Sequence, residues 1–236
     1  KRDAEIEIER PEQMLAFLDA EEQLIEDKIN ILKQSGAQAI FTSKEVDERV
    51  QHACNNDGIL LVGMMEDDGI EDIAAATRWA MAHPDIDERR VCAFGGSYGA
   101  YASYMLAVRE PAMLRCVIGY VGVYDLTLLY RTGDISESWG GEGYLERAVG
   151  RDEDLLADFS PVSHASKITA ASMLIHGEDD NRAPIDHAYA MRDALRATGT
   201  DPDWLEIDDS GHGAGNIQTR LELYEALLGF LDQHLR

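Results

Sequence analysis

The apolar positions of this chain come in two alternating kinds of run, short ones of strand length and longer ones of helical period. Ala4-Glu-Ile-Glu-Ile-Glu9 alternates as a half-buried strand does. Pro11 suits the first turn of a following helix and Gly36 its C-cap. Between them Leu15, Leu18, Ile25, Ile29 and Leu32 recur at intervals of three, four and seven, a stripe along one helical face. The second half of that stripe reads as packing on a core, while the first half is heavily charged and free to project. Strands are predicted at 37–41 and 59–63 with a helix at 44–55 between them, then a helix at 73–83 and strands at 91–95, 115–121, 172–176 and 203–207. Strands alternating with helices predict an α/β fold, a doubly wound and mostly parallel sheet in a three-layer α/β/α arrangement, preceded by the N-terminal strand and long helix. Right-handed crossovers then give the strand order 59–63, 37–41, 91–95, 115–121, 172–176, 203–207.

A length of 236 residues suits one α/β domain and buries a core without staples. The cysteines, Cys54, Cys92 and Cys116, are odd in number and form no C-x-x-C. Cys92 falls inside a predicted strand and reads as a small buried hydrophobe, which argues for a reducing compartment and a cytoplasmic location. No apolar run reaches membrane-spanning length, and no signal peptide opens the chain. The missing initiator Met is expected of a trimmed or tagged chain. The formal net charge of −24 is spread through both halves. Such a surface repels nucleic acid and anionic membranes, favours solubility, and fits a high-salt environment.

Candidate chemistry centres on 90–108. A short apolar strand runs into Gly95-Gly-Ser-Tyr-Gly99, and a helix follows. The string fits G-x-S-x-G, the nucleophile elbow of α/β-hydrolases, in which a serine on a strained strand-to-helix turn stands above the sheet. Gly95 and Gly99 are expected to be glycine because side chains there would meet the neighbouring strand and helix. The helix aims its N-terminal N–H groups, Tyr98 first, at the place where an oxyanion forms. A serine hydroxyl needs a base, so the elbow predicts an acid and then a histidine downstream. The stretch Glu178-Asp-Asp180 follows the strand at 172–176, and His212 lies between glycines after the strand at 203–207. With this sheet order, the loops carrying Ser97, the acid and His212 meet at the carboxyl ends of the strands.

From about Glu66 to the C-terminus the chain resembles the catalytic domain of prolyl oligopeptidase-family serine peptidases, among them acylaminoacyl and dipeptidyl peptidases. The resemblance is carried by Gly95-Gly-Ser-Tyr-Gly99, His176-Gly-x-x-Asp180 with Pro184, and Gly211-His212-Gly213. The helix at 73–83, Asp85-Ile-Asp-Glu-Arg-Arg90 and Phe159-Ser-Pro-Val162 add to it. It implies Ser97 as nucleophile, Asp180 as orienting acid and His212 as base, with the adjacent Asp179 the rival for the acid. It implies no metal and no cofactor.

Residues 1–65 resemble something else. Asp3-Ala-Glu-Ile-Glu-Ile8, Pro11-Glu-Gln-Met14, Phe17-Leu-Asp-Ala-Glu-Glu22, Ser35-Gly-Ala37, Val50-Gln-His52 and Gly58-Ile-Leu60 are similar to the apical domain of group II chaperonins, the thermosome type. There the first strand and long helix belong to a built-in lid. No nucleotide-binding motif accompanies them, so ATPase activity is not implied. The join near Met65 reads as a chimera, natural or engineered, with the engineered reading preferred, and the strands at 37–41 and 59–63 take the place of two hydrolase strands.

The join removes a part the resembled peptidases have, a glycine-rich oxyanion loop. After Phe41 this chain carries Thr42-Ser-Lys-Glu45 instead, leaving the Tyr98 N–H as the assigned oxyanion donor. The gating propeller of the family is also expected to be absent. Residues 124–158 are expected to cap the site, with Trp139 a candidate wall of the acyl pocket or else an aromatic packing the cap. Two functions follow. One is a serine hydrolase acting on small esters or peptide amides through an acyl-enzyme on Ser97. The other is a recombined scaffold with an idle triad, a binding module or homo-oligomer built through the N-terminal helix.

Overall fold

A computed structural model describes residues 69–235 continuously, together with residues 26, 29–30, 39–41, 49–50, 53 and 60–62. The chain separates into two compact units, Lys1–Glu66 and Asp67–Arg236. In the first, strands β1 (Ala39–Phe41) and β2 (Leu60–Val62) pair in parallel, Ala39 opposite Leu60 and Phe41 opposite Val62. Residues 26, 29–30, 49–50 and 53 are helical. The expected strand at 4–9 and most of the 11–36 helix lie outside the described residues, as do Thr42 and Ser43.

The second unit opens with helix α1 (Gly69–Met81). Strand β3 (Cys92–Gly96) then leads into helix α2 (Tyr98–Arg109), and strand β4 (Cys116–Tyr120) follows. After short helices come strand β5 (Ala171–Gly177), helix α3 (Asp186–Ala197), strand β6 (Asp203–Ile207) and helix α4 (Ile217–Leu235). The four strands form one parallel sheet in the order β3-β4-β5-β6. That is the expected order for these strands. The neighbourhood expected for the strands at 37–41 and 59–63 is also found, and the described strands fall in one sheet of two and one of four.

Alternation along the strands sets the layers. On β4 and β5, Val117 and Leu174 point to one face, where Ala100, Tyr104, Leu106, Ala188, Met191 and Leu195 of α2 and α3 cover them. Ile118, Met173 and Ile175 point to the other, covered by Leu223, Leu227 and Phe230 of α4. Strands buried on both faces are continuously apolar, as parallel strands between helices are. The Arg90 and Arg115 guanidinium groups donate to the last carbonyls of α4, those of Leu235 and His234, closing the helix end.

The parallel register sets Cys92 directly opposite Cys116, with Cα atoms 4.6 Å apart, and their sulfurs are bonded. This corrects the reading of Cys92 as a small buried hydrophobe, since it is half-buried and cross-linked, and withdraws the compartment argument built on it. Among the described residues no helix is long and apolar enough to cross a membrane.

Residues 124–158 contain a turn of 3-10 helix (Leu128–Tyr130) and short helices at Asp134–Glu137, Gly141–Ala148 and Glu153–Asp158. They share a small apolar cluster of Leu126, Leu129, Leu145 and Leu156. The segment is tied to the loop after β5, since Asp134 N–H donates to Asn181 O at 2.8 Å and Arg182 pairs with the Asp134 carboxylate at 3.1 Å.

Candidate active site

β3 ends at Gly96, and Ser97 makes the turn into α2 with φ 56° and ψ −121°, a left-handed backbone that a non-glycine residue adopts at a cost on the order of 1–3 kcal/mol. The Ser97 N–H donates to Tyr120 O at 2.9 Å, anchoring the turn to β4. A Cβ on Gly95 would overlap the Gly99 carbonyl, so the sharp turn requires glycine there. Among the described residues nothing lies within 4 Å of a Cβ built on Gly99, which corrects the expectation of a steric need on both sides of the serine. The Ser97 hydroxyl makes no helix-capping bond and remains available for chemistry.

Opposite it, β5 and β6 deliver two loops that are welded together. Glu178 N–H donates to Ile207 O at 3.1 Å and Asp179 N–H to Ser210 O at 2.9 Å. A Cβ on Gly177 would overlap Ser210 O, so the loops touch main chain to main chain. The His212 loop is held by Ser210 Oγ donating to Gly213 O at 3.1 Å and Gly213 N–H to Gly211 O at 2.7 Å.

The expected residues meet. His212 Nε2 lies 2.9 Å from Ser97 Oγ, and His212 Nδ1 lies 2.8 Å from Asp180 Oδ2. A carboxylate only accepts, so Nδ1 carries the proton and the Nε2 lone pair faces the serine hydroxyl. Asp180 is buried, and its Oδ1 accepts from the N–H groups of Arg182 at 2.9 Å and Ala183 at 3.0 Å. Burial alone would raise its pKa. The His176 and His212 rings and the Ala183 N–H outweigh that and hold the carboxyl well below the usual range. Asp179 is exposed.

Tyr98 is the first residue of α2, whose leading N–H groups point out of the helix end. Trp139 is fully exposed, so among the described residues it neither walls a pocket nor packs the cap, a correction to both expectations. It stands in the link between two short helices. Sequence reasoning gave no role to His176, which lies 3.4 Å from Asp180 Oδ2, nor to His187, which is buried in the first turn of α3. The signal for His176 was its place four residues before the acid. Among the described residues, no group of three or more metal-ligating side chains is found.

A family model described as the prolyl oligopeptidase family matches residues 61–236, and one described as the TCP-1/cpn60 chaperonin family matches residues 1–94. The two overlap across the expected join. Dipeptidyl-peptidase 5 of Porphyromonas gingivalis is 25% identical over 171 residues, covering 71% of this chain and 25% of that protein. A thermosome subunit of Pyrococcus horikoshii is 39% identical over 75 residues, 32% of this chain and 14% of that protein. Among solved structures, uncomplexed Pyrococcus horikoshii acylaminoacyl peptidase superposes with a TM-score of 0.68 at 18% identity, covering 84% of this chain and 38% of that one, which shows the shared α/β-hydrolase fold. The chain spans about a quarter of the length of the curated peptidases it matches.

Proposed function

The chain belongs to the prolyl oligopeptidase family of serine peptidases, carrying a chaperonin-like segment at its front, and from that premise we propose that it hydrolyses small esters or peptide amides through an acyl-enzyme on Ser97. The observation that carries the proposal is the unbroken hydrogen-bonded chain Ser97–His212–Asp180.

The chemistry follows from the atoms. Ser97 Oγ attacks the substrate carbonyl carbon as His212 Nε2 takes its proton. The carbonyl oxygen becomes an oxyanion facing the Tyr98 N–H at the start of α2, whose dipole favours negative charge there. The imidazolium is stabilised by Asp180, which stays ionised because its pKa is held low. Collapse of the intermediate expels the alcohol or amine with the proton returned from His212. Water then attacks the acyl-enzyme by the same steps in reverse, and the acid leaves.

The proposed activity is weakened. Where the peptidases resembled have a glycine-rich oxyanion loop, the sequence here is Thr42-Ser-Lys-Glu45, so one donor is assigned where more are the rule. The chaperonin match over 1–94 favours a second reading, a recombined scaffold whose triad is idle. A fluorophosphonate probe decides between them. Prompt covalent labelling that Ser97→Ala abolishes supports the hydrolase, whereas no labelling of the folded chain supports the scaffold.

A further inference from the structure

Asp180 is held from both sides, but differently. Its Oδ1 is met by main-chain N–H groups, those of Arg182 and Ala183, whereas Oδ2 is met only by side chains, His212 and His176. His176 is wholly buried at the end of β5, with Nε2 2.7 Å from the Ala183 carbonyl oxygen and 3.4 Å from Asp180 Oδ2. Both neighbours are acceptors, so Nε2 carries the proton and Nδ1 presents a lone pair. That lone pair is buried with no donor among the described residues.

His187, also wholly buried, shows the opposite pattern. Its Nδ1 lies 3.4 Å from each of the N–H groups of Tyr124 and Asp125, which only donate, so Nδ1 accepts and Nε2 carries the proton. That Nε2–H is buried with no acceptor among the described residues. Among the described residues one ring ends in an orphan acceptor and the other in an orphan donor, and His187 lies close enough to feel the His176 ring. The carboxylates of Asp125, Asp186 and Asp180 also act on His187, yet burial keeps it neutral at neutral pH. The two acceptors beside Nε2 thus fix the Nε2–H tautomer of His176.

Resting on the triad reading above, we propose that His176 is a positioning residue for the reaction: its Nε2–H, held between the Ala183 carbonyl and Asp180 Oδ2, keeps that oxygen turned toward His212 Nδ1. Without His176, the one remaining group on Oδ2 among the described residues is His212, which must gain and lose a proton each turnover. The carboxylate then rotates about its bond, and His212 loses the partner that orders its tautomer.

The test compares the full-length chain with His176→Leu, which removes the donor, and His176→Gln, which restores an N–H near the Nε2 position. Active sites are titrated with a fluorophosphonate, and p-nitrophenyl acetate hydrolysis is followed against pH. The downfield Nδ1–H proton of His212 is observed by NMR. His176→Leu is expected to lower kcat per titrated site roughly 10- to 100-fold with KM little changed, the range seen when the outer partner of a liganding group is removed. The pKa on the acid limb falls, because the imidazolium loses the carboxylate's support. The downfield resonance disappears, and His176→Gln recovers all three. A Leu variant that melts earlier but keeps wild-type kcat per site, acid-limb pKa and resonance has lost only packing, and overturns the proposal. If the wild type neither labels nor turns over, the triad reading fails, and retention of the resonance in His176→Leu overturns the positioning role separately.

Discussion

His212 Nδ1 lies 2.8 Å from Asp180 Oδ2, while the adjacent Asp179 is exposed and gives the loop only its main-chain N–H, bonded to Ser210 O at 2.9 Å. One residue along the chain separates a buried carboxylate from a solvated one. Asp180→Asn is therefore expected to lower kcat on an activated ester about 10⁴-fold, since the amide leaves the imidazole in the wrong tautomer. Asp179→Asn should stay near wild type, and Ser97→Ala should abolish turnover with the circular dichroism spectrum intact. A larger loss at Asp179 than at Asp180 would contradict the assignment.

Burial pushes the His187 imidazole down to about 4 from 6.5, with the nearby His176 adding to the shift. A histidine whose folded pKa lies below its unfolded one stabilises fully above about pH 6.5, and that stability is lost as pH falls through about 4, because the unfolded chain binds a proton the folded chain refuses. The amount is on the order of 3 kcal/mol. Urea unfolding of the wild type should accordingly show a lower midpoint at mildly acid pH than at neutral pH, before most carboxylates titrate. In His187→Gln that part of the slope should vanish. A wild type of constant stability over this window would show that His187 is not held neutral by burial.

The two elbow glycines should behave oppositely. Ala at 95 drives a methyl into the Gly99 carbonyl, main chain that cannot step aside, and should destabilise by about 3 kcal/mol or more. Ala at 99 meets open space inside α2 and should be neutral or raise stability by up to about 1 kcal/mol. Thermal melts of both variants check this. Equal destabilisation would mean that the turn is tighter at its helical end than its geometry indicates.

These contrasts mark what the sequence could and could not convey. Gly95, Ser97 and the helix after them are a local strand–turn–helix, and local order is what apolar periodicity and turn residues encode. His212 between its glycines was legible for the same reason. The open space beside Gly99 is a property of what packs around it, and nothing adjacent in sequence records it. Whether Trp139 faced inward depended on the path of a loop rich in glycine, whose backbone allows either. Cys92 and Cys116 are 24 residues apart and meet only through strand register. His176 sits inside an apolar run and reads as a strand residue, so its place beside Asp180 needed β5 and the following turn in three dimensions.

Acidic residues outnumber basic ones 45 to 21, and arginine–carboxylate pairs such as Arg151 with Glu142 at 2.8 Å and Arg196 with Asp201 at 2.7 Å lie at the surface. Exposed pairs of that kind add little, so repulsion among the remaining carboxylates dominates the surface energy. Salt screens it, the Debye length falling to about 3 Å at 1 M. Tm should rise as NaCl is added from low to molar concentration. A flat or falling curve in differential scanning calorimetry would mean that the carboxylates are far enough apart, or well enough hydrated, not to strain the fold.

The oxyanion site sets the expected substrate preference. Ester and amide hydrolysis pass through the same tetrahedral oxyanion, and donors aimed at it form one of the largest catalytic contributions. Losing one donor lowers turnover on the order of 10²–10³-fold. The Tyr98 N–H at the head of α2 is the donor assigned here, and the proposed function takes the sequence Thr42-Ser-Lys-Glu45 as replacing the glycine-rich loop of the peptidases resembled. An activated ester has a good leaving group, so acylation of Ser97 tolerates a poorly stabilised intermediate. An amide must also protonate a poor leaving group from His212, and the same loss brings its rate to the edge of detection. The chain should therefore turn over p-nitrophenyl acetate readily and a matched p-nitroanilide barely, with burst kinetics on the ester showing that the acyl-enzyme forms. If the anilide is cleaved at a rate comparable to the ester, a second donor has been recruited, and Thr42→Ala with Ser43→Ala would show whether that loop supplies it.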